Sequence, residues 1–240
     1  MNSLPIWTPY CGVGATPADL LIRWNTDPVL LAALAAVAAL LWRRRTGAMG
    51  WAALSVAVLL FVSPLCALSS ALFTARTVHP VLLVAVLAPL VAWALPPVRV
   101  PRVGLATLAA ASVFWIWHAP AAYASAMSHD GAYWFMQASL GVAAVWFWLA
   151  IRTARPLAAV GALLVSTVQM GLLGALLTVA DRAFYAPHAA TTLAWGLTPL
   201  GDQQAAGLIM WAPAAAIYLG MAMVVLGRQL AQPSDPRAPA

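Results

Sequence analysis

Residues 156–180 read PLAAVGALLVSTVQMGLLGALLTVA, a run of 25 residues without a charged side chain. A helix needs about 20 predominantly apolar residues to cross the roughly 30 Å hydrocarbon core of a bilayer. The run is preceded by Arg155 and followed by Asp181, so that its ends are marked by charge. Its length and apolar character predict a transmembrane helix.

The composition of the whole chain agrees with that prediction. Of its 240 residues, 64% are hydrophobic and 8% are charged, and the mean hydropathy is +0.89. Soluble globular domains are about 25% charged, so a water-soluble fold is excluded. The chain has no Lys and no Glu, and its net charge of +6 comes from scattered Arg and Asp residues. This distribution also excludes a nucleic-acid-binding face.

Seven apolar stretches predict an all-α membrane protein, a bundle of about seven transmembrane helices in a single integral membrane domain, residues 1–240. The stretches are Pro28–Trp42, Ala48–Ala67, Val78–Leu95, Val103–Trp117, Ala132–Ile151, Pro156–Ala180 and Gln203–Leu226. Asp27 followed by Pro28 is a typical helix start, because Asp caps free amides and Pro is tolerated at the first helical position. The Pro-containing tail, residues 232–240, is predicted to be disordered.

The arginines alternate from loop to loop and predict the orientation of the bundle. Nine follow the first, third, fifth and seventh stretches: Arg43, Arg44, Arg45, Arg99, Arg102, Arg152, Arg155, Arg228 and Arg237. The other loops hold three Arg and five of the six Asp: Arg23, Arg76, Arg182, Asp19, Asp27, Asp130, Asp181 and Asp202. The positive-inside rule therefore predicts a cytoplasmic C-terminus and an extracytoplasmic N-terminal segment, residues 1–26.

All four histidines fall on the predicted outer side. His79 and His118 lie at the outer ends of two stretches, each near a Pro. Ionisable groups at such depths are usually functional or paired with another polar group. The competing interpretation is an imidazole that is hydrogen-bonded to a backbone carbonyl freed by the neighbouring Pro. His129 and His188 are predicted to be solvated loop residues.

Cys11 and Cys66 also fall on the outer side, and three interpretations stay open. In an oxidising compartment they form a structural disulfide. As soft ligands they bind Cu(I), helped by imidazole or by the thioethers of Met127, Met136 or Met170. Alternatively, Cys66 simply packs in the bundle and Cys11 has no role.

Polar groups in the last two stretches require partners. Gln169 lies inside the sixth stretch, where a carboxamide needs a partner on another helix, and Gly171 and Gly174 allow a neighbour to approach closely. Asp202 opens the seventh stretch ahead of Gln203, and is predicted to cap that helix.

Several motifs resemble the CtaG-type cytochrome c oxidase assembly factors, multi-pass proteins of bacterial membranes. The similarity extends over most of the chain. The most specific motif is Asp-Gln-Gln-Ala-Ala-Gly-Leu-Ile-Met-Trp-Ala-Pro, residues 202–213, because membrane insertion does not require this pattern. Others are Arg-Trp-Asn-Thr-Asp-Pro (23–28), Ser-Pro-Leu (63–65), Trp-His-Ala-Pro (117–120) with Tyr123, and Gln169 with Gly174 and Ala175.

The resemblance implies a non-enzymatic factor of the bacterial cytoplasmic (inner) membrane that assists formation or metallation of the oxidase copper site from the outer side. The implied partners are oxidase subunits and other copper chaperones, and copper is the implied metal, with no nucleotide and no haem. His79 and His118 become the leading candidates for copper contact, with Asp202, Gln203 and Gln169 as orienting groups.

One position departs from the family pattern, in which a second His lies four residues before the first. That position here is Ala75, so a two-imidazole clamp from one helix is absent, and Cys66 and Cys11 are hypothesised to replace the missing ligand.

Three other functions compete with an assembly factor. A transporter of copper or another small cation would use the same outer residues, although the cytoplasmic halves of the stretches are almost wholly apolar. A haem or quinone protein would use His79 and His118 as axial ligands. A rhodopsin-like photoreceptor is excluded, because a retinal Schiff base requires a Lys.

Overall fold

A computed structural model of the chain describes residues 7–98 and 102–231. The described residues are 77% helical and contain no strand, which confirms the all-α prediction. The disordered tail predicted at residues 232–240 and the first six residues of the N-terminal segment lie outside the described ranges.

The described part of the chain forms nine helices, joined by loops that contain three short 3-10 turns. The helices are α1 (Pro28–Arg43), α2 (Ala48–Phe61), α3 (Leu65–Ala71), α4 (Phe73–Ala94), α5 (Val103–His118), α6 (Pro120–Ala126), α7 (Asp130–Thr153), α8 (Pro156–Val179) and α9 (Pro199–Leu230). The 3-10 turns are Leu20–Ile22, Ala186–His188 and Thr192–Trp195. Single π-helical turns interrupt α4 at Leu83–Leu87 and α9 at Met210–Ala214.

Between four and six spans are supported by helix length and composition. Helices α4, α7, α8 and α9 are each long and apolar enough to cross a membrane, and the pairs α2–α3 and α5–α6 qualify if each bent pair is one span. Helix α1 is apolar but has only 16 residues. Seven spans, and the orientation of the termini, therefore remain predictions.

Proline explains the two bends. The direction changes by 42° between α2 and α3, where Pro64 precedes α3, and by 78° between α5 and α6. Ala119 is extended because Pro120 follows it, and the residue before a proline is disfavoured in the helical region. Helix α5 consequently ends at His118, and Pro120 takes the first position of α6.

The predicted start of α1 is confirmed. The Asp27 carboxylate accepts hydrogen bonds from the backbone N–H groups of Val29, at 2.7 Å, and Leu30, at 3.3 Å, and Pro28 follows it. Two orphan amides of the first turn are thus satisfied locally, as the sequence indicates.

The core lies between α4, α7, α8 and α9. Trp148 of α7 is 1% exposed, and its indole N–H donates to the carbonyl of Val84 in α4 at 2.7 Å. Helices α8 and α9 approach most closely at Gly174 and Gly207, where a Cβ on Gly207 would lie 2.6 Å from the carbonyl oxygen of Gly174. Gly174 thus admits a close neighbour, but this neighbour is α9 and not the helix that holds the partner of Gln169.

This contact predicts the effect of a single methyl group. Gly207→Ala places its Cβ against backbone atoms that cannot shift without a large energetic cost. We therefore expect it to destabilise the purified protein by about 1–3 kcal/mol, measured by thermal unfolding in detergent. Gly220→Ala in the same helix is the control, because nothing lies within 4 Å of its added Cβ. A Gly207→Ala protein as stable as the control would contradict the packing.

Candidate functional site

Buried polar side chains concentrate at one end of the bundle, where α4, α7 and α9 begin and α3, α6 and α8 end. This is called the Asp-containing end, after Asp27, Asp130, Asp181 and Asp202, and the opposite end, with Arg43–Arg45, Arg102, Arg152, Arg155 and Arg228, is the Arg-rich end. The buried polar side chains of the Asp-containing end include Ser69, Ser70, Arg76, Thr77, His79, His118, Gln137, His188, Thr192, Asp202 and Gln203.

Asp202 caps a helix other than its own, so the prediction that it caps the seventh stretch is wrong. Its carboxylate accepts from the backbone N–H groups of Phe73, at 2.6 Å, and Thr74, at 3.0 Å, which open α4. The Thr74 hydroxyl donates to the Asp202 carbonyl. The start of α9 is capped instead by Thr198, which accepts from the amide of Gly201.

This cap moves the start of the third predicted span from Val78 to Phe73. Arg76, assigned to an outer loop from the sequence, consequently lies within α4 and is only 3% exposed. Its guanidinium donates to the Ser69 hydroxyl at 3.4 Å and stands 5.0 Å above the Tyr133 ring. A desolvated guanidinium over an aromatic face gains cation–π attraction, which offsets part of the cost of burial.

A small cavity lies beside Arg76, between α4, α5, α6 and α7. Its volume is about 20 Å³, and its walls include Arg76, Thr77, His118, Tyr123 and Gln137. Arg76 Nη2, Thr77 Oγ1 and Gln137 Oε1 are buried and have no hydrogen-bond partner in the described chain. A cavity of this size accommodates about one water molecule, and these donors and acceptors are the partners that a buried water needs.

His188 is buried, which corrects its assignment as a solvated loop residue. It is 2% exposed, and its Nδ1–H donates to the Ala71 carbonyl at 3.3 Å. The other ring nitrogen therefore accepts from the Tyr123 hydroxyl at 2.5 Å, so the bond to Ala71 fixes the tautomer. His188 thus ties the α8–α9 loop to α3 and α6.

Gln203 organises the same loop. Its amide oxygen accepts from the backbone N–H of Phe184 at 2.7 Å, and its amide nitrogen donates to the Arg182 carbonyl at 3.2 Å. This arrangement places Tyr185 so that its ring stacks on Phe73 at 3.8 Å between centroids and its hydroxyl donates to the His118 carbonyl. The loop is thereby packed onto the beginning of α4 and the end of α5.

His79 is hydrogen-bonded to a backbone carbonyl, as one of the two interpretations of the sequence expected. Its Nε2 donates at 3.1 Å to the carbonyl of Leu60. That carbonyl lacks its usual helical donor, because the residue four positions on is Pro64, which has no N–H. The freed carbonyl therefore belongs to α2, not to the turn before the neighbouring Pro80.

His118 bonds within its own helix. Its Nδ1 donates to the carbonyl of Phe114, one turn earlier in α5, at 2.7 Å. In the neutral ring Nε2 then carries the lone pair, and the imidazole borders the cavity beside Arg76.

Cys11 and Cys66 form a disulfide, with their Cα atoms 5.4 Å apart. The bond holds the N-terminal segment against the bundle, where Tyr10 stacks on Tyr133 and donates a hydrogen bond to Asp27 at 2.6 Å. Burial, followed by the bond to Asp27, raises the pKa of Tyr10 to about 12. An open cleft of about 540 Å³ lies beside this segment, lined in part by Tyr10, Asp27 and Asp130.

The four predicted metal ligands do not form one site. Within residues 7–98 and 102–231, no three His, Cys or Asp side chains are grouped so that they could hold a metal ion. The sulfurs are joined to each other, so neither Cys11 nor Cys66 offers a thiolate ligand. Arg76 adds a positive charge to the cavity that His118 borders. These residues do not fit a resident copper ion.

Gln169 has the interhelical partner predicted for it. Its amide oxygen accepts from the indole N–H of Trp115 in α5 at 2.8 Å. The partner helix is therefore α5, whereas the close approach at Gly174 involves α9.

A known protein family matches the second half of the chain. The family model for the cytochrome c oxidase caa3 assembly factor (Caa3_CtaG) matches residues 101–232, more than half of the chain. The matched region includes His118, Tyr123, Gln169, Asp202 and Gln203, and begins after α4. No curated protein and no solved structure matches the chain.

The cap on α4 predicts the effect of an isosteric change. Asp202→Asn retains one acceptor and leaves the amide of Phe73 or Thr74 unpaired, so we expect a loss of about 1–3 kcal/mol of unfolding free energy in detergent. Asp181→Asn, an exposed change of the same chemistry at the same end, should leave stability unchanged. Equal stability of the two variants would exclude the capping role.

Acidification should weaken the fold through His188. Burial lowers the pKa of His188 to about 4. Below pH 6.5 the unfolded chain therefore binds a proton at this residue that the folded chain does not bind. The free energy of unfolding consequently falls as the pH drops from 6.5 towards 4. At pH 5 this amounts to about 2 kcal/mol. We expect His188→Gln to remove this component of the pH dependence of unfolding. The exposed control His129→Gln should keep it, and equal pH profiles for the two variants would contradict the assignment.

Proposed function

The chain belongs to the cytochrome c oxidase caa3 assembly factor family, Caa3_CtaG, and on that premise we propose that it assists formation of the oxidase copper site from the extracytoplasmic side of a bacterial cytoplasmic membrane. The family match supports the association with the oxidase. The copper site, the side of the membrane and the cell compartment are parts of the proposal, each with its own support.

Two independent features support the extracytoplasmic side. The described arginines outside the Asp-containing end lie at the ends of α1, α7 and α9 and at the starts of α5 and α8, where the positive-inside rule expects the cytoplasm. The disulfide lies at the opposite end, and disulfides persist in oxidising compartments such as the bacterial periplasm or cell surface.

The proposed role is that of a non-enzymatic holder of an oxidase subunit. Since the described residues do not fit a resident copper ion, we propose that copper is cargo that other chaperones deliver to the subunit. The Asp-containing end is suited to holding because its helix ends and loops are fixed by buried hydrogen bonds, among them Asp202 to α4 and His188 to Tyr123.

His118 is the residue with which the proposal is tested. It stands at the 78° bend between α5 and α6, its carbonyl accepts from Tyr185, and its ring borders the cavity beside Arg76. The imidazole is neutral, so replacing it alters the shape and polarity of the Asp-containing end without changing its net charge.

The first test is the copper-to-haem ratio of cytochrome oxidase purified from cells that carry the intact chain, no chain, or a variant. We expect the ratio to fall without the chain and with His118→Ala, because metallation fails while haem is retained. Immunoblotting of the membranes should show the same amount of the variant and the intact chain.

His129→Ala is the matched control, since His129 is exposed at the same end of the bundle. It should restore the copper content fully. An unchanged ratio in cells without the chain would overturn the copper part of the proposal and leave the family membership standing.

A further inference from the structure

The Arg-rich end carries a groove at the surface of the bundle. The groove has a volume of about 240 Å³ and lies between the last turns of α4, α7 and α9 and the first turn of α8. Its polar lining residues are Arg152, Arg228 and Gln229, and the remainder of its wall is mostly apolar, including Trp93 and Met221. Its mouth is therefore basic and its floor apolar.

A second groove continues from the first towards the middle of the bundle. It has a volume of about 330 Å³ and is lined by Met49, Ala85, Val86, Pro89, Leu90, Trp93 and Met221, so the two grooves share Trp93 and Met221. Met221 lies two turns before Arg228 in α9, and Ala85 lies about two turns before Trp93 in α4. Each of these intervals corresponds to about 10–12 Å along its helix.

Within the described chain, no acidic side chain balances the positive charge at the mouth of the first groove. The five Asp residues of ranges 7–98 and 102–231 all lie at the Asp-containing end, and the one ion pair found there joins Arg23 to Asp19. Helix α7 separates Asp130 from Arg152 by roughly 33 Å. The negative charge that balances Arg152 and Arg228 must therefore come from outside these residues.

Arg152 is held in place at this mouth. Its Nη1 donates to the carbonyls of Ala92, at 2.8 Å, and Leu95, at 2.9 Å, at the end of α4, and its guanidinium carbon is 6.0 Å from the centre of the Trp93 ring. Arg228 is exposed on α9. Guanidinium groups recognise phosphate well because their donors match its geometry.

We propose that the two grooves together bind one phospholipid with an anionic headgroup. Its phosphate lies at Arg152 and Arg228, and one acyl chain runs past Trp93 and Met221 towards Ala85. A basic mouth joined to an apolar floor suits a ligand that is anionic at one end and apolar along its length, and basic pockets between transmembrane helices bind such headgroups. The proposal is independent of the role in oxidase assembly.

The test uses the full purified chain in detergent micelles and counts bound lipid by native mass spectrometry. Phosphatidylglycerol and phosphatidylcholine with identical acyl chains are compared. We expect the intact chain to bind phosphatidylglycerol more tightly. Arg228→Gln should lower that affinity about fivefold, the equivalent of about 1 kcal/mol for one Arg near a lipid headgroup. It should lower the affinity for phosphatidylcholine less, because the choline cation offsets the charge of its phosphate.

Arg182→Gln removes the same charge at the Asp-containing end and should leave both affinities unchanged. Val224→Trp narrows the first groove from an exposed position and should weaken binding of phosphatidylglycerol with both arginines intact. Equal affinity for the two lipids, an equal loss in Arg182→Gln, or no loss in Val224→Trp would overturn the proposal. Equally tight binding of glycerol phosphate or inorganic phosphate would also overturn it, since neither has an acyl chain.

Discussion

Inside hydrocarbon no water satisfies the backbone groups at the ends of a helix, and α4 meets this constraint with side chains from other helices. Asp202 of α9 accepts from the first amides of α4, and Arg152 of α7 donates to its last carbonyls. His79, from α4 itself, donates to the α2 carbonyl that Pro64 leaves free. Helix α4 is thus joined to α2, α7 and α9 by polar bonds, and the apolar packing of the bundle is arranged around it.

The long helices could be predicted because membrane thickness dictates their length and because local signals such as Asp27–Pro28 mark their starts. The short helix α6 and the break between α2 and α3 were not predicted. The partner of Asp202 could not be predicted, since the cap joins residues 129 positions apart and the same carboxylate is equally suited to its own helix. Because of this cap, α4 begins earlier than predicted, and Arg76 is a buried helix residue instead of the loop residue that the sequence predicts. His188 was misplaced for a similar reason, because only the packed loop brings it to Tyr123.

The histidines show a different limit of sequence reasoning. The position of an imidazole near a Pro indicates that a carbonyl has lost its donor, but not which one. For His79 the carbonyl belongs to α2, and the responsible proline, Pro64, lies between α2 and α3. The cysteines illustrate the same point, since three interpretations fitted their positions and the structure joins them. The direction in which side chains point distinguishes a cluster of metal ligands from a set of structural hydrogen bonds. Their depth in the membrane does not.

The cap on α4 also has a consequence for the order in which the protein is made. Cys11 and Cys66 have both been synthesised before α4 is complete, so both cysteines are present well before Asp202. Asp202 lies at the beginning of α9, which leaves the ribosome after α1–α8. Until then the amides of Phe73 and Thr74 lack the carboxylate, so an arrested chain ending before α9 exposes an unfinished helix end, a natural target for membrane quality control.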